Sequence, residues 1–122
     1  MTAIDLVTGE HLWQIPLGTS KDLAPFPFWW IKGAPNLGGP TVTAAGLTFI
    51  AATSDYYLRA FDTETGEELA KFRLPTEGHT TPITYENKGG RQFVVIAAGG
   101  HGALGSPALD HLIAFALPKA AK

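Results

Sequence analysis

The sequence contains no cysteine. A chain without cysteine has no disulfide framework, no thiolate nucleophile and no zinc site made of cysteine ligands. This absence leaves the compartment open, because many periplasmic proteins also lack cysteine. Covalent cross-links and thiol chemistry are therefore excluded, and the location of the protein is not decided.

No charge of one sign dominates, since 9 Lys and Arg residues stand against 11 Asp and Glu residues. The sequence shows no basic stripe that would neutralise phosphates, which argues against nucleic acid as a partner. No run approaches the roughly 20 apolar residues of a membrane-spanning helix. Residues 1–5 are neither basic nor followed by an apolar run, so they do not resemble a signal peptide. We expect any export or anchoring signal to lie upstream of this chain.

Helical periodicity is also missing, because no long stretch has apolar residues at i, i+3, i+4 and i+7. The sequence instead has short runs rich in Val, Ile, Thr, Phe and Tyr, such as 47–50, 57–61 and 93–96. Its 14 Gly and 9 Pro residues are spread between such runs. Short β-prone runs separated by turn residues are typical of all-β proteins.

The chain repeats itself, because residues 3–13 recur at residues 60–70, an offset of 57. Asp, Thr, Gly, Glu and Leu occupy the same positions in both copies. The short Asp side chain can accept hydrogen bonds from the turn amides, and Gly tolerates a positive φ. We therefore predict one β-hairpin that is present twice. A third, partial copy at 112–116 keeps the strand and drops the Asp turn.

The predicted strands fall into groups of four. Residues 39–74 make one whole group, with strands at 40–44, 47–52, 57–61 and 68–74. Residues 80–117 hold three strands, at 81–85, 92–97 and 112–116, and residues 1–17 hold the last two strands of a preceding group. Recurring four-stranded antiparallel units indicate the blades of a β-propeller. A two-sheet sandwich is the alternative, and the repeated hairpin favours the propeller.

A propeller has about four to eight blades, so two to three blades do not close one. We therefore expect the chain, residues 1–122, to be a single partial propeller segment of a larger protein. Its open blade edges are expected to favour self-association of the isolated chain.

The motifs of the chain resemble those of a known family. The unit Ala-Ile-Asp-x-x-Thr-Gly-Glu-x-x-Trp, which begins at Ala3, resembles the tryptophan-docking motif of the pyrroloquinoline quinone (PQQ) dehydrogenases. The segments that follow are similar to the C-terminal part of the membrane-bound PQQ-dependent glucose dehydrogenases, which are quinoproteins. They lie at 35–40, 49–53, 57–61, 81–85, 95–102 and 114–118. Ala70 departs from the pattern, because it stands where the second hairpin would carry Trp.

This resemblance implies an eight-bladed quinoprotein propeller at the periplasmic face of the inner membrane. It implies PQQ with Ca²⁺ or Mg²⁺, oxidation of an aldose to its lactone, and transfer of the electrons to ubiquinone. The family's membrane anchor is N-terminal, and its catalytic base and metal ligands lie mostly in upstream blades. We find no counterpart for them in this sequence, so the chain alone is expected to be inactive. The sequence names neither the sugar nor the metal.

Two segments are candidates for cofactor binding. Gly100 and His101 lie in a Gly-Gly-His-Gly run after an apolar strand, where glycine lets the backbone approach a ligand. His101 can donate a hydrogen bond to a carboxylate or quinone oxygen, and in the resembled family this run lies at the cofactor pocket. Asn36 and Leu37 lead into the inner strand of the complete blade, which faces the axial channel of a propeller. The alternatives are a glycine-rich turn with a solvated histidine and an ordinary Pro-Asn turn.

Other conspicuous residues are interpreted structurally or left open. Trp13 is predicted to dock between blades. Trp29 and Trp30 can line a sugar-binding opening or pack over an edge, and the sequence does not decide. The histidines at 11, 79 and 111 are far apart in sequence, which argues against a metal site. The aspartates at 5 and 62 are turn residues, and Arg59 is predicted to pair with Asp62 across strands.

Two functional hypotheses remain. The first is a fragment of a PQQ-dependent sugar dehydrogenase. The second is a non-catalytic β-repeat module that binds a ligand or assembles with copies of itself.

Overall fold

The computed structural model describes residues 1–118. It contains nine β-strands and two short 3₁₀ helices, η1 at Phe28–Trp30 and η2 at Gly102–Leu104, within those residues. The strands are β1 Thr2–Ile4, β2 His11–Gln14, β3 Thr41–Val42, β4 Leu47–Ile50, β5 Tyr57–Asp62, β6 Glu68–Arg73, β7 Ile83–Glu86, β8 Gln92–Ala98 and β9 His111–Phe115. In this part of the chain, no helix is long and apolar enough to cross a membrane.

The strands form three antiparallel sheets. The orders are β1-β2, β3-β4-β5-β6 and β7-β8-β9, so each strand pairs with its neighbour in sequence. This meander confirms the prediction of an all-β fold built from propeller blades, of which one sheet has four strands. Strand β3 is shorter than the predicted 40–44, because Pro40 has no N–H to donate to the ladder and Thr43 already bonds across the turn to Leu47 and Gly46.

The two copies of the hairpin have the same local structure. Asp5 Oδ1 accepts hydrogen bonds from the amides of Val7 and Thr8, and Asp62 Oδ1 does the same for the amides two and three residues further on. Both turns end at a glycine with φ +75°. Each hairpin also has a register shift at the equivalent position, between residues 3 and 4 in one copy and between residues 60 and 61 in the other. The repeat in sequence is therefore a repeat in backbone geometry.

Trp13 joins the first hairpin to the turn of the second. Its Nε1 donates a hydrogen bond to the carbonyl oxygen of Thr63, at 3.0 Å. The indole ring lies against Gly66, where a Cβ atom would be 2.7 Å from Trp13 Cδ2. The predicted docking of Trp13 between neighbouring sheets is confirmed, and it requires a residue without a side chain on the receiving turn.

The middle sheet is packed on both faces. Successive residues of β4 face opposite sides, with Ile50 in one apolar cluster and Phe49 against the other. One cluster contains Leu17, Ile50, Ala52 and Phe61, and Met1 and Ile15, which flank the first sheet, pack against it. The other joins the last two sheets and contains Ala51, Leu58, Leu74, Ile96 and Ala98. The three sheets are therefore stacked side by side, as the blades of a propeller are.

The predicted pairing of Arg59 with Asp62 is wrong. The Asp62 carboxylate is occupied by the turn amides, and the Arg59 guanidinium binds Asp55 and Glu68 instead. Arg59 and Asp55 are both buried, with 3% and 0% of their surface exposed. Asp55 also accepts hydrogen bonds from Thr53 Oγ1 and from the amide of Thr19. This network fixes the chain that precedes η1 to the end of the middle sheet.

Burial alone would raise the pKa of the Asp55 carboxyl. The hydrogen bonds from Arg59 and Thr53 and the positive charge of Arg59 outweigh that effect, so the pKa of Asp55 lies below its ordinary value. The carboxylate is therefore ionised at neutral pH and pairs with the guanidinium.

Candidate cofactor site

Asn36 and Leu37 are held by their backbone at the end of the middle sheet. The Leu37 amide donates to the carbonyl of Ala52 at 2.8 Å, and Asn36 forms an isolated bridge with Thr53. Both side chains are exposed. Asn36 Nδ2 has one long contact, 3.4 Å to the carbonyl of Ala34. The backbone of this segment is thus fixed while its amide side chain keeps most of its hydrogen-bonding capacity.

Gly100 and His101 begin the loop between β8 and β9. The Gly100 amide donates to the carbonyl of Glu77 at 3.0 Å. The backbone of Gly100 has φ +70°, and a Cβ atom there would lie 2.0 Å from the carbonyl oxygen of Pro107. Only glycine fits this position.

The ring of His101 is available to a ligand. Its backbone amide and carbonyl are both bonded to the hydroxyl of Ser106. The imidazole meets the ring of His79 edge to face, with 5.8 Å between centroids. Within residues 1–118, the imidazole nitrogens of His101 have no hydrogen-bond partner.

A turn at residues 77–79 contacts both predicted segments. His79 Nδ1 lies 3.1 Å from the carbonyl oxygen of Ala52, the same oxygen that accepts from Leu37. A Cβ atom on Gly38 would lie 3.3 Å from the carbonyl carbon of His79. On its other side the turn accepts the amide of Gly100 and faces the His101 ring. The structure thus brings the two candidate segments together around this turn.

Glu77 and His79 are the residues that the sequence analysis missed. Glu77 Oε2 lies 2.6 Å from His79 Nε2, and their side chains are 2% and 4% exposed. Gly78 between them packs closely against the strand side, because a Cβ atom there would lie 2.9 Å from Leu74 Cδ1. The available signal was the spacing Glu-Gly-His shortly after a β-strand, which puts two titratable residues around one glycine.

Trp29 and Trp30 lie in η1, away from that turn in sequence. They are 49% and 69% exposed, and Trp29 contacts the Phe26 ring edge to face at 5.2 Å. The aromatic segment thus lies at the surface of the described part of this chain.

Comparisons with known proteins give the same fold and add the family. Residues 1–94 match the model of the family described as "PQQ: Glucose/ethanol/alcohol dehydrogenase, beta-propeller domain". The chain belongs to this PQQ-dependent dehydrogenase propeller family. The predicted similarity to the quinoprotein glucose dehydrogenases is confirmed by 48% identity with the quinoprotein glucose dehydrogenase of Escherichia coli (strain K12), over 97% of this chain and 15% of that protein.

The chain is also similar to proteins that are named for substrates other than glucose. The chain is 50% identical to a probable quinate dehydrogenase (quinone) of Xanthomonas campestris pv. juglandis, over 98% of the chain and 16% of that protein. It is also similar in structure to a europium-containing methanol dehydrogenase, with a TM-score of 0.61, 28% identity, and coverage of 80% of this chain and 14% of that one. The chain therefore spans only about 15% of the length of the curated relatives it matches.

The polar groups of the site fit a PQQ molecule. PQQ presents carboxylate and quinone oxygens, which accept hydrogen bonds, and the Asn36 amide and His101 imidazole can donate them. Nearby, the amide of Ser54 bonds to Pro35. The hydroxyl of Ser54 is buried and has no partner among the described residues, so it has the capacity for one further hydrogen bond. No group of three or more His, Asp or Glu side chains in residues 1–118 is arranged to hold a metal ion.

Proposed function

We propose that this chain is part of a PQQ-dependent dehydrogenase that oxidises an aldose to its lactone. Asn36, Leu37, Gly100 and His101 form one wall of its cofactor site. The observation that carries the proposal is the convergence of the 36–37 and 100–101 segments on the turn at 77–79, with the Asn36 and His101 side chains exposed. Three quinoprotein glucose dehydrogenases, 43–48% identical to the chain, support an aldose as the substrate.

The reaction removes hydrogen from the C1 carbon and its hydroxyl group, as two electrons and two protons. When bound, PQQ would supply the quinone that accepts the two electrons and two protons, with ubiquinone as the final acceptor. In this arrangement Asn36 and His101 donate hydrogen bonds to cofactor oxygens and orient the ring. Gly100 lets the backbone come close to the ligand. A divalent cation, Ca²⁺ or Mg²⁺, would be held by residues outside this chain.

The location follows from the same proposal. A quinoprotein dehydrogenase that reduces ubiquinone works at a membrane, so we infer the periplasmic face of the inner membrane. Attachment would be through a segment outside this chain.

The test is PQQ titration of the complete dehydrogenase and of the 122-residue chain, followed by tryptophan fluorescence and calorimetry. We expect saturable binding by the complete protein, weakened by His101→Ala and by Asn36→Ala. The matched control is His111→Ala, which removes an exposed histidine from β9. If both site variants bind PQQ as the control does, the site assignment is wrong.

The substrate is tested with the reconstituted enzyme. We expect glucose to be oxidised to its lactone faster than quinate or glycerol at equal concentration. A preference for quinate or glycerol would leave the PQQ site in place and overturn the aldose assignment.

Open sheet edges favour a second candidate, a non-catalytic β-repeat module that assembles with copies of itself. Strands β6 and β9 are the outer strands of their sheets, and Leu112 on β9 is 75% exposed. Exposed sheet edges pair readily with other strands. This candidate would be supported if neither the chain nor the complete protein binds PQQ.

A further inference from the structure

The Glu77–His79 pair is a buried titratable group for which the proposed reaction has no direct use. Its two side chains are among the least exposed polar groups near the candidate site. Buried charged or polar side chains are costly unless they are paired and hydrogen-bonded. The 2.6 Å contact between Glu77 and His79 meets this condition, and it fixes both side chains between the two candidate segments.

The hydrogen bonds of His79 fix its tautomer. The carbonyl oxygen of Ala52, 3.1 Å from Nδ1, can only accept, so Nδ1 carries a proton. Nε2, 2.6 Å from Glu77 Oε2, then shares the one remaining proton with the carboxyl group. Both ring nitrogens are therefore hydrogen-bonded, and the His79 ring cannot flip without losing a bond.

Because the His79 ring is fixed in this way, it presents a fixed surface to the ring of His101. The edge-to-face contact between His79 and His101 is at 5.8 Å, a favoured distance and arrangement for aromatic rings. The same turn receives the Gly100 amide through the Glu77 carbonyl. Thr76 Oγ1, directly before the pair, donates to the carbonyl of Pro107 in the same loop. The loop that carries His101 is therefore held at its start and further along by residues 76–79.

We propose that Glu77 and His79 are positioning residues that set the orientation of the His101 imidazole toward the cofactor. They do not touch the cofactor, and they act through His101. This inference rests on the proposed function for the identity of the ligand. The orientation of His101 itself is a property of the chain and can be measured without PQQ.

The first experiment is ¹⁵N-histidine NMR on the 122-residue chain. We expect the Nδ1 of His79 to be protonated, and Glu77→Ala to shift the ring resonances of His79 and of His101. The matched control is Glu86→Gln, which changes an exposed glutamate of β7. If Glu77→Ala leaves the His101 ring resonances where the control leaves them, the positioning role is overturned.

The second experiment is a double-mutant cycle for PQQ affinity in the complete dehydrogenase. We expect His79→Ala to weaken binding by about 10–100-fold, by analogy with the cost of removing residues that orient a metal-ligating histidine. His101→Ala should weaken binding at least as much, and the double variant no more than His101→Ala alone, because His79 acts through His101. Losses that simply multiply would show independent roles and overturn the inference.

Rescue separates positioning from mere stability. In Glu77→Gln, the side-chain amide can donate to Nε2 of a neutral His79 while Nδ1 keeps its bond to Ala52. We therefore expect this variant to keep most of the PQQ affinity that Glu77→Ala loses. Equal losses in the two variants would contradict the hydrogen-bond role of Glu77. If the wild-type enzyme does not bind PQQ, the proposed function fails, and the NMR result alone decides the positioning role.

Discussion

Two glycines of identical conformation have different surroundings in this chain. Gly9 and Gly66 both have φ +75° and both end an Asp-x-x-Thr-Gly turn. A Cβ atom on Gly9 would have nothing within 4 Å, whereas one on Gly66 would lie 2.7 Å from the Trp13 indole. The first glycine serves only the turn, and the second also serves the contact between sheets.

We expect Gly66→Ala to destabilise the chain more than Gly9→Ala does. Both variants lose about 1–2 kcal/mol because alanine is strained in a left-handed conformation. Gly66→Ala adds the displacement of the Trp13 ring, about 1–3 kcal/mol for an overpacked contact. Urea unfolding followed by circular dichroism measures the difference. Equal losses in the two variants would show that the Trp13 contact contributes nothing to stability.

Asp55 makes a wholly buried electrostatic contact, because it is 0% exposed and ion-paired with Arg59. We expect Asp55→Asn to lower the free energy of unfolding by about 3 kcal/mol, the lower end of the cost of a broken buried pair, since Arg59 keeps only its bond to the more exposed Glu68. The matched control is Asp22→Asn, which breaks the more exposed pair with Arg73. An exposed pair contributes about 0–1 kcal/mol.

The effect of Asp55 should depend on pH. The pKa of its carboxyl is lower in the folded chain than in the unfolded chain. Its stabilising contribution is therefore fully present above the unfolded pKa of about 3.9 and is lost as the pH falls through the folded pKa. We expect the gap in unfolding free energy between wild type and Asp55→Asn to be widest near pH 7 and to narrow below about pH 4. A gap that stays constant down to about pH 2 would contradict the pairing.

At the scale of the elements, the loop between β8 and β9 is built around Gly100. Gly105 in the same loop has a similar φ, +77°, and nothing within 4 Å of the place that a Cβ atom would take. We expect Gly105→Ala to cost only the strain of a left-handed alanine, about 1–2 kcal/mol. Gly100→Ala must also push Pro107 away, so it should displace His101 and weaken PQQ binding by the complete dehydrogenase. PQQ titration of both variants checks this, and equal affinities would show that the loop tolerates the shift.

The elements that the sequence predicted well are those with local causes. The two hairpins follow from Asp-turn hydrogen bonds and a positive-φ glycine within a few residues, and strands β4, β5 and β8 follow from β-prone runs. The pairing of Glu77 with His79 and the approach of His101 have a different origin. His79 meets His101 across 22 residues only because the third sheet packs against the second. The predicted pairing of Arg59 with Asp62 is wrong because the Asp62 carboxylate accepts hydrogen bonds from the amides of its own turn.

At the scale of the whole molecule, the chain presents sheet edges and apolar faces that lack a covering layer within residues 1–118. Leu112 on the edge strand β9 is 75% exposed. We expect the isolated chain to self-associate with rising concentration in sedimentation velocity, and Leu112→Lys to reduce this association, because an edge lysine blocks strand addition. The control is Leu6→Lys, which changes a turn residue that is 96% exposed. A chain that stays monomeric at high concentration would contradict the prediction.

The propeller blades were predictable from sequence because their unit recurs, whereas the proposed cofactor wall rests on family resemblance. Nothing in residues 36–37 or 100–101 distinguishes a ligand site from two ordinary turns until the fold brings both against the turn at 77–79. The spacing of residues in the sequence does not show which residues lie close together in the fold. The two candidate segments come together only because neighbouring sheets pack against each other.

The docking of Trp13 on the turn of the next hairpin also has an evolutionary consequence. The indole lies in one copy and the glycine that it packs against lies in the following copy. A copy that has both residues can therefore contact the copy before it through its Gly and the copy after it through its Trp. A gene duplication that starts and ends at the same point of the repeat would insert a unit that already matches both neighbours. The second copy has Ala70 in place of the Trp. It therefore lacks the indole that would pack on the glycine of a following copy. Duplication of this second copy would give a unit that cannot make the tryptophan contact with its next neighbour.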